Sequence, residues 1–125
     1  MHMPPDPIDF SFISGADVPV WVLKAGETIF NEGDMATELY IIHSGRVGIY
    51  LGNRLLDTLE TNEIFGEMAL IDSAPRSATA IATTDITLIP VSKKQFLALI
   101  SRTPSFALDV MAVLAQRLRA ANRAM

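Results

Sequence analysis

Between residues 19 and 90 the hydrophobic positions fall in short β-rich runs, at 20–23, 28–30, 39–43, 47–51, 55–59, 78–82 and 86–90. Turn residues separate them: Ala25-Gly26, Glu32-Gly33-Asp34, Ser44-Gly45, Gly52-Asn53 and Thr61-Asn62. Many short strands with turn signals at this spacing predict a sandwich or barrel. Gly52-Asn53 between two runs predicts a two-residue hairpin turn of type I′ or II′. Pro90 has no N–H to give a ladder and is expected to end the last strand.

After Pro90 the period changes to that of a helix. Ser92-Lys93-Lys94-Gln95 has the form of a capping box, with Ser at N-cap and Gln at N3, and predicts a short helix over 93–100. Thr103-Pro104 is a second start signal, Thr as N-cap and Pro at the first helical position, and predicts a longer helix over 104–124. Along it Ala107, Met111, Leu114, Leu118, Ala121 and Met125 are spaced 4, 3, 4, 3, 4, as in a coiled-coil seam. Phe106, Val110 and Val113 form a neighbouring stripe. Such a helix can cover the β layer with one stripe and a partner with the other. The expected organisation is a tail with a short helical turn at 1–18, a β domain at 19–91 and two helices at 92–125.

Composition narrows the function classes. A chain of 125 residues, half hydrophobic and 19% charged, is one globular domain. A net charge of -4 argues against a general nucleic-acid or membrane-surface binder. No apolar run approaches the roughly 18–20 residues that span a bilayer. No basic-then-apolar leader is visible, so a cytoplasmic location is expected. The lack of cysteine excludes disulfides and thiol nucleophiles. The two histidines, His2 and His43, make no metal-ligand cluster, and no Ser-His-acid pattern sits at a recognisable elbow. An enzyme is not expected.

One stretch carries the candidate chemistry: residues 64–79, IFGEMALIDSAPRSAT. Gly66 permits positive φ or close approach of a ligand to the backbone. Residues 68–71 suit one helical turn with free N–H groups at its start. Arg76 supplies a planar fork suited to phosphate oxygens. Glu67, acceptor-only when ionised, wants hydroxyl donors. Together they describe a pocket for a sugar phosphate with a free hydroxyl. The blander alternative is a structural loop in which Arg76 and Glu67 pair only with each other.

Phe65-Gly66-Glu67-Met68-Ala69-Leu70-Ile71 followed by Pro75-Arg76-Ser77-Ala78-Thr79-Ala80 closely resembles the phosphate-binding cassette of cyclic nucleotide-binding domains. Ala25 to Phe30 with Glu32-Gly33-Asp34 looks like the first hairpin of that family, and Leu39 to Val47 like its third and fourth strands. The resemblance implies a jelly-roll-like β-roll, a double-stranded β-helix, with a short B helix and a long C helix. It implies that Phe65, Gly66, Met68, Ala69 and Ala78 lie against the ligand, with Gly66, Met68 and Ala69 approaching through the backbone. Glu67 would accept from the ribose 2′-hydroxyl, Arg76 would pair with the phosphate, and Ser77 would add a hydroxyl. Ile49 and Leu56 match positions that pack on the purine, and Ala121 and Asn122 match positions that contact the base in some members. Arg117 and Arg119 read as solvated charges favoured near a helix C-terminus, with Arg117 also within reach of Glu67. The family usually has Gly-Asp where this chain has Asn62-Glu63; Asn tolerates the left-handed conformation, so the turn is expected to survive.

No cofactor or metal is implied. The implied ligand is cyclic AMP, with cyclic GMP as the alternative, because a hydroxyl at Ser77 suits a syn guanine. Regulators of the catabolite activator type continue after the C helix into a helix-turn-helix that this sequence does not contain, so a stand-alone sensor module is expected. Its partner would be a second copy or a separate effector reading the C helix. The alternative is a scaffold that keeps the fold and binds no nucleotide.

Overall fold

The computed structural model describes residues 19–123. The expected helical turn at 8–13 lies outside these. The elements are β1 (Trp21–Leu23), β2 (Thr28–Phe30), β3 (Glu38–Ser44), β4 (Val47–Leu51), β5 (Arg54–Leu59), β6 (Ile64–Phe65), α1 (Met68–Asp72), β7 (Thr79–Ala82), β8 (Ile86–Ser92), α2 (Lys93–Arg102) and α3 (Ser105–Arg123). The strands form two four-stranded antiparallel sheets, β1-β8-β3-β6 and β2-β7-β4-β5. This is the jelly-roll-like β-roll with C-terminal helices that the resemblance implied.

Two apolar clusters follow from the period-2 alternation of β3 and β8. Tyr40, Ile42, Ile86 and Leu88 face inward and meet Val47, Leu59, Phe65, Ala80 and Ala82. Leu39, Ile41, Ile89 and Val91 face the other way and meet Phe106, Val110 and Val113 of α3. The β3–β8 pair is therefore buried on both faces, which explains its near-continuous hydrophobic run.

Most turn expectations hold. Leu51 pairs with Arg54 across Gly52-Asn53. Gly52 has φ of +60° and Asn53 is not in the positive-φ region, which selects type II′ over I′. Asn62 adopts φ of +71°, the left-handed role expected of it. The capping box is present: Gln95 N–H donates to Ser92 Oγ at 3.2 Å, and Ser92 N–H donates to the Gln95 side chain at 2.8 Å.

Pro90 does not end its strand. It pairs with Tyr40 inside β8, which runs on to Ser92. β1 stops pairing at Leu88, so the ladder on that side has already ended where the N–H is missing. The two-residue strand β6 carried no alternation to read.

The helical stripe is also redrawn. Phe106, Val110 and Val113 are buried, and Leu114 packs beside them instead of joining an outer seam. Met111 and Leu118 are exposed, together with Leu108. No single helix among the described residues is long and apolar enough to cross a membrane.

Candidate functional site

The site is assembled where β6 ends. Gly66 turns the chain at φ of +77°, and α1 follows immediately. After α1 the chain loops back and delivers Arg76 against the turn it has just left. Arg76 Nη1 donates to the Gly66 carbonyl at 3.0 Å, and Nη2 donates to the Glu38 carbonyl at 2.6 Å. Its backbone is clamped by the 31–34 turn. Arg76 N–H donates to the Asp34 carbonyl at 2.9 Å, and Gly33 N–H donates to the Arg76 carbonyl at 2.8 Å. The fit is close: a Cβ at position 66 would stand 2.6 Å from Arg76 Nη1.

Arg76 is only 7% exposed. Among the described residues no carboxylate pairs with it. Its guanidinium carbon lies 4.2 Å from the centroid of the Phe30 ring and 5.6 Å from that of Tyr40. Nε is buried and has no hydrogen-bond partner. A buried cation held by carbonyl dipoles and ring faces keeps most of its attraction for an anion. Nearby, burial pushes the Tyr40 hydroxyl pKa up and the Glu38 charge adds to this, while Arg76 opposes both.

Glu67 is 5% exposed and does not pair with Arg76. Arg117 reaches it from α3, with Nη1 at 2.5 Å from Oε1, and Arg117 Nη2 donates to the Ile64 carbonyl. Arg117 is thus a partly buried bridge from the long helix to the Gly66 turn, not a solvated charge.

A cavity of about 290 Å³ opens in front of these groups. Phe65, Gly66, Glu67, Met68, Arg76, Ser77 and Ala78 line it, with Ile49 from β4, Asp57 and Leu59 from β5, and Arg117 from α3. Ala69 lies in α1. Leu56 is not in the wall and is 48% exposed. The reason is a bulge: Ile49 pairs with Asp57 and Tyr50 with Leu55, so Leu56 is the unpaired extra residue. Asp57 takes the inward position instead. Ala121 and Asn122 are exposed near the end of α3 and do not reach the cavity.

Sequence reasoning missed Phe30 and Asp57 as wall residues. Both are set by bulges, which leave no mark on hydrophobic alternation. Arg117 had a visible signal, a cation on the helix expected to fold back, but its partner lies fifty residues away.

Residues 20–103 match the family model described as the cyclic nucleotide-binding domain. The chain belongs to this family. A relative in Thermus thermophilus, "Cyclic AMP receptor protein", is 42% identical over 102 residues, covering 78% of this chain and 47% of that protein. The crystal structure of Thermus thermophilus catabolite activator protein superposes with a TM-score of 0.76 at 39% identity, covering 83% of this chain and 51% of that one. The EAL enzyme Bd1971 in its cAMP-bound form gives a TM-score of 0.61 at 40% identity, over 85% of this chain and 29% of that one. Its cGMP-bound form gives 0.61 at 41%, over 81% and 28%. This cyclic nucleotide-binding domain therefore spans about half the length, or less, of each of these four.

Proposed function

We propose that this cyclic nucleotide-binding domain acts as a sensor: it takes cyclic AMP, or more weakly cyclic GMP, into the cavity and signals through its C-terminal helices. The observation that carries this is Arg76, a buried guanidinium on the cavity wall with no carboxylate partner among the described residues and an unsatisfied Nε. A cyclic phosphodiester brings one negative charge to it. Ser77 beside it offers a hydroxyl to the phosphate or the base, and Gly66, Met68 and Ala69 approach the ligand by backbone. Glu67 accepts from the ribose 2′-hydroxyl, and Phe65, Ala78 and Ile49 supply apolar wall. The Bd1971 structures carrying cAMP and cGMP support both ligands as candidates.

The role is binding, not catalysis. The output is a shift between two arrangements of α2 and α3. Arg117 ties α3 to Glu67, so a ribose hydroxyl arriving at Glu67 re-weights that tie and moves the helix. The exposed face of α3 is what a second copy or an effector reads.

The test is isothermal calorimetry with both nucleotides. Arg76→Ala is expected to weaken cyclic AMP at least tenfold, because losing one member of a buried charge pair costs about 2–5 kcal/mol. Equal affinity in wild type and variant would refute the assignment. Failure of either nucleotide to raise the melting temperature of the wild-type protein would favour a nucleotide-free scaffold.

A further inference from the structure

The way Arg76 is held departs from the usual solution for a buried cation, a carboxylate partner. Its two terminal nitrogens are spent on the Gly66 and Glu38 carbonyls. The nearer of its two ring contacts is the face of Phe30, 4.2 Å from the guanidinium carbon against 5.6 Å for Tyr40, both inside the range of a cation–π interaction. Phe30 reaches this place through an irregularity in its strand. Thr28 pairs with Ile81 and Phe30 with Ala80, so β2 advances two residues while β7 advances one. Strict alternation would send Phe30 to the face opposite Ile29. The bulge lets both pack on the same inner cluster. The ring is then fixed by Tyr40, 6.1 Å away at 27°, and by Phe65, 6.0 Å away at 37°. Tyr40 itself is braced by Trp21 at 6.0 Å. On the Gly66 side of the guanidinium there is no room even for a methyl group.

We propose that Phe30 is a positioning residue for anion capture: its bulge-directed ring face holds the Arg76 guanidinium in place of a carboxylate. A carboxylate there would neutralise the arginine and compete with the incoming phosphate. A ring attracts the cation through its quadrupole but carries no net charge, so Arg76 is oriented without being neutralised. The inference rests on the nucleotide-binding reading for its affinity arm, and on the contact alone for its spectroscopic arm.

The affinity arm uses a ring-electronics series. Replacing Phe30 with mono-, di- and trifluorinated phenylalanines drains the negative face stepwise while nearly preserving shape. Cyclic AMP affinity is expected to fall monotonically along the series. Phe30→Leu is expected to lose about three- to thirtyfold, and Phe30→Tyr, which keeps the face, to stay near wild type. Melting temperatures of the free proteins report that each variant is folded. A purely structural ring would give affinities that ignore fluorination, and a flat series in folded variants overturns the proposal. The spectroscopic arm needs no nucleotide. The Arg76 Nε–H resonance, identified by its loss in Arg76→Lys, is expected to be shifted upfield by the ring current of Phe30 and to move downfield in Phe30→Leu. An Nε–H signal indifferent to Phe30→Leu also overturns the proposal. If wild type binds neither cyclic AMP nor cyclic GMP, the nucleotide reading and the anion-capture role fall together. A flat series in a protein that does bind leaves the nucleotide reading standing and removes only the role of Phe30.

Discussion

Gly66 and Arg76 form a closed geometric argument. The glycine carbonyl accepts from the guanidinium, its φ of +77° suits a residue without Cβ, and a Cβ would meet Nη1 at 2.6 Å. Gly66→Ala is therefore expected to cost about 1–3 kcal/mol from backbone strain alone. It should also displace Arg76 and lower cyclic AMP affinity more than tenfold. Urea denaturation and calorimetry on the same variant separate the two effects. Tyr40 offers a second test. Its folded pKa lies above the ordinary 10.0, so above pH 10 the unfolded chain releases its proton first. Stability from this group is complete below pH 10 and falls as pH rises towards the folded value. Tyr40→Phe should flatten that alkaline loss, read as melting temperature against pH. Gly66, Glu67 and Arg76 were legible in sequence because all three lie within one eleven-residue stretch. Arg117 was legible as within reach of Glu67, but Phe30 and Glu38 were not, since they come from other elements and only the closed fold brings them near.

At the scale of elements, hydrophobic period and turn residues were enough to place every strand but β6, and both C-terminal helices. They failed where a strand breaks its own alternation. The bulge in β5 turns Leu56 outward and Asp57 inward, so two neighbours exchange the roles that spacing assigned them. Leu56→Ser is accordingly expected to change stability by less than about 0.5 kcal/mol, as for an ordinary surface site. Leu59→Ala, at a buried inner-cluster position, should cost about 2–5 kcal/mol. Chemical denaturation of the pair checks the bulge directly, since similar losses would mean that Leu56 is buried after all. Where a local signal has a local partner, sequence was sufficient. Ser92 and Gln95 satisfy each other within three residues, and Ser92→Ala should cost about 1 kcal/mol without altering nucleotide affinity.

In the molecule as a whole, α3 joins three surfaces. Phe106, Val110 and Val113 fix it to the β-roll, and Arg117 latches it to Glu67 beside the cavity. Leu108, Met111 and Leu118 remain on its outer side, at 65%, 54% and 63% exposure. With Ala115 these positions are spaced 3, 4, 3, the repeat of a two-helix seam. Three large apolar side chains in register on one helix are costly to leave in water and are suited to a second copy related by a two-fold axis. The wild-type protein is expected to sediment as a dimer, and Met111→Glu with Leu118→Glu as a monomer that still binds cyclic AMP. The latch and the seam share one rigid helix, so occupancy of the cavity should also shift the dimer equilibrium. Because binding linkage is reciprocal and each subunit of a dimer carries one cavity, saturating cyclic AMP should change the dimerisation constant by the square of the factor by which per-site affinity differs between the dimer and the monomeric variant. A wild-type protein that stays monomeric with and without nucleotide would remove the self-association reading. The outer stripe of α3 would then be left to a separate effector.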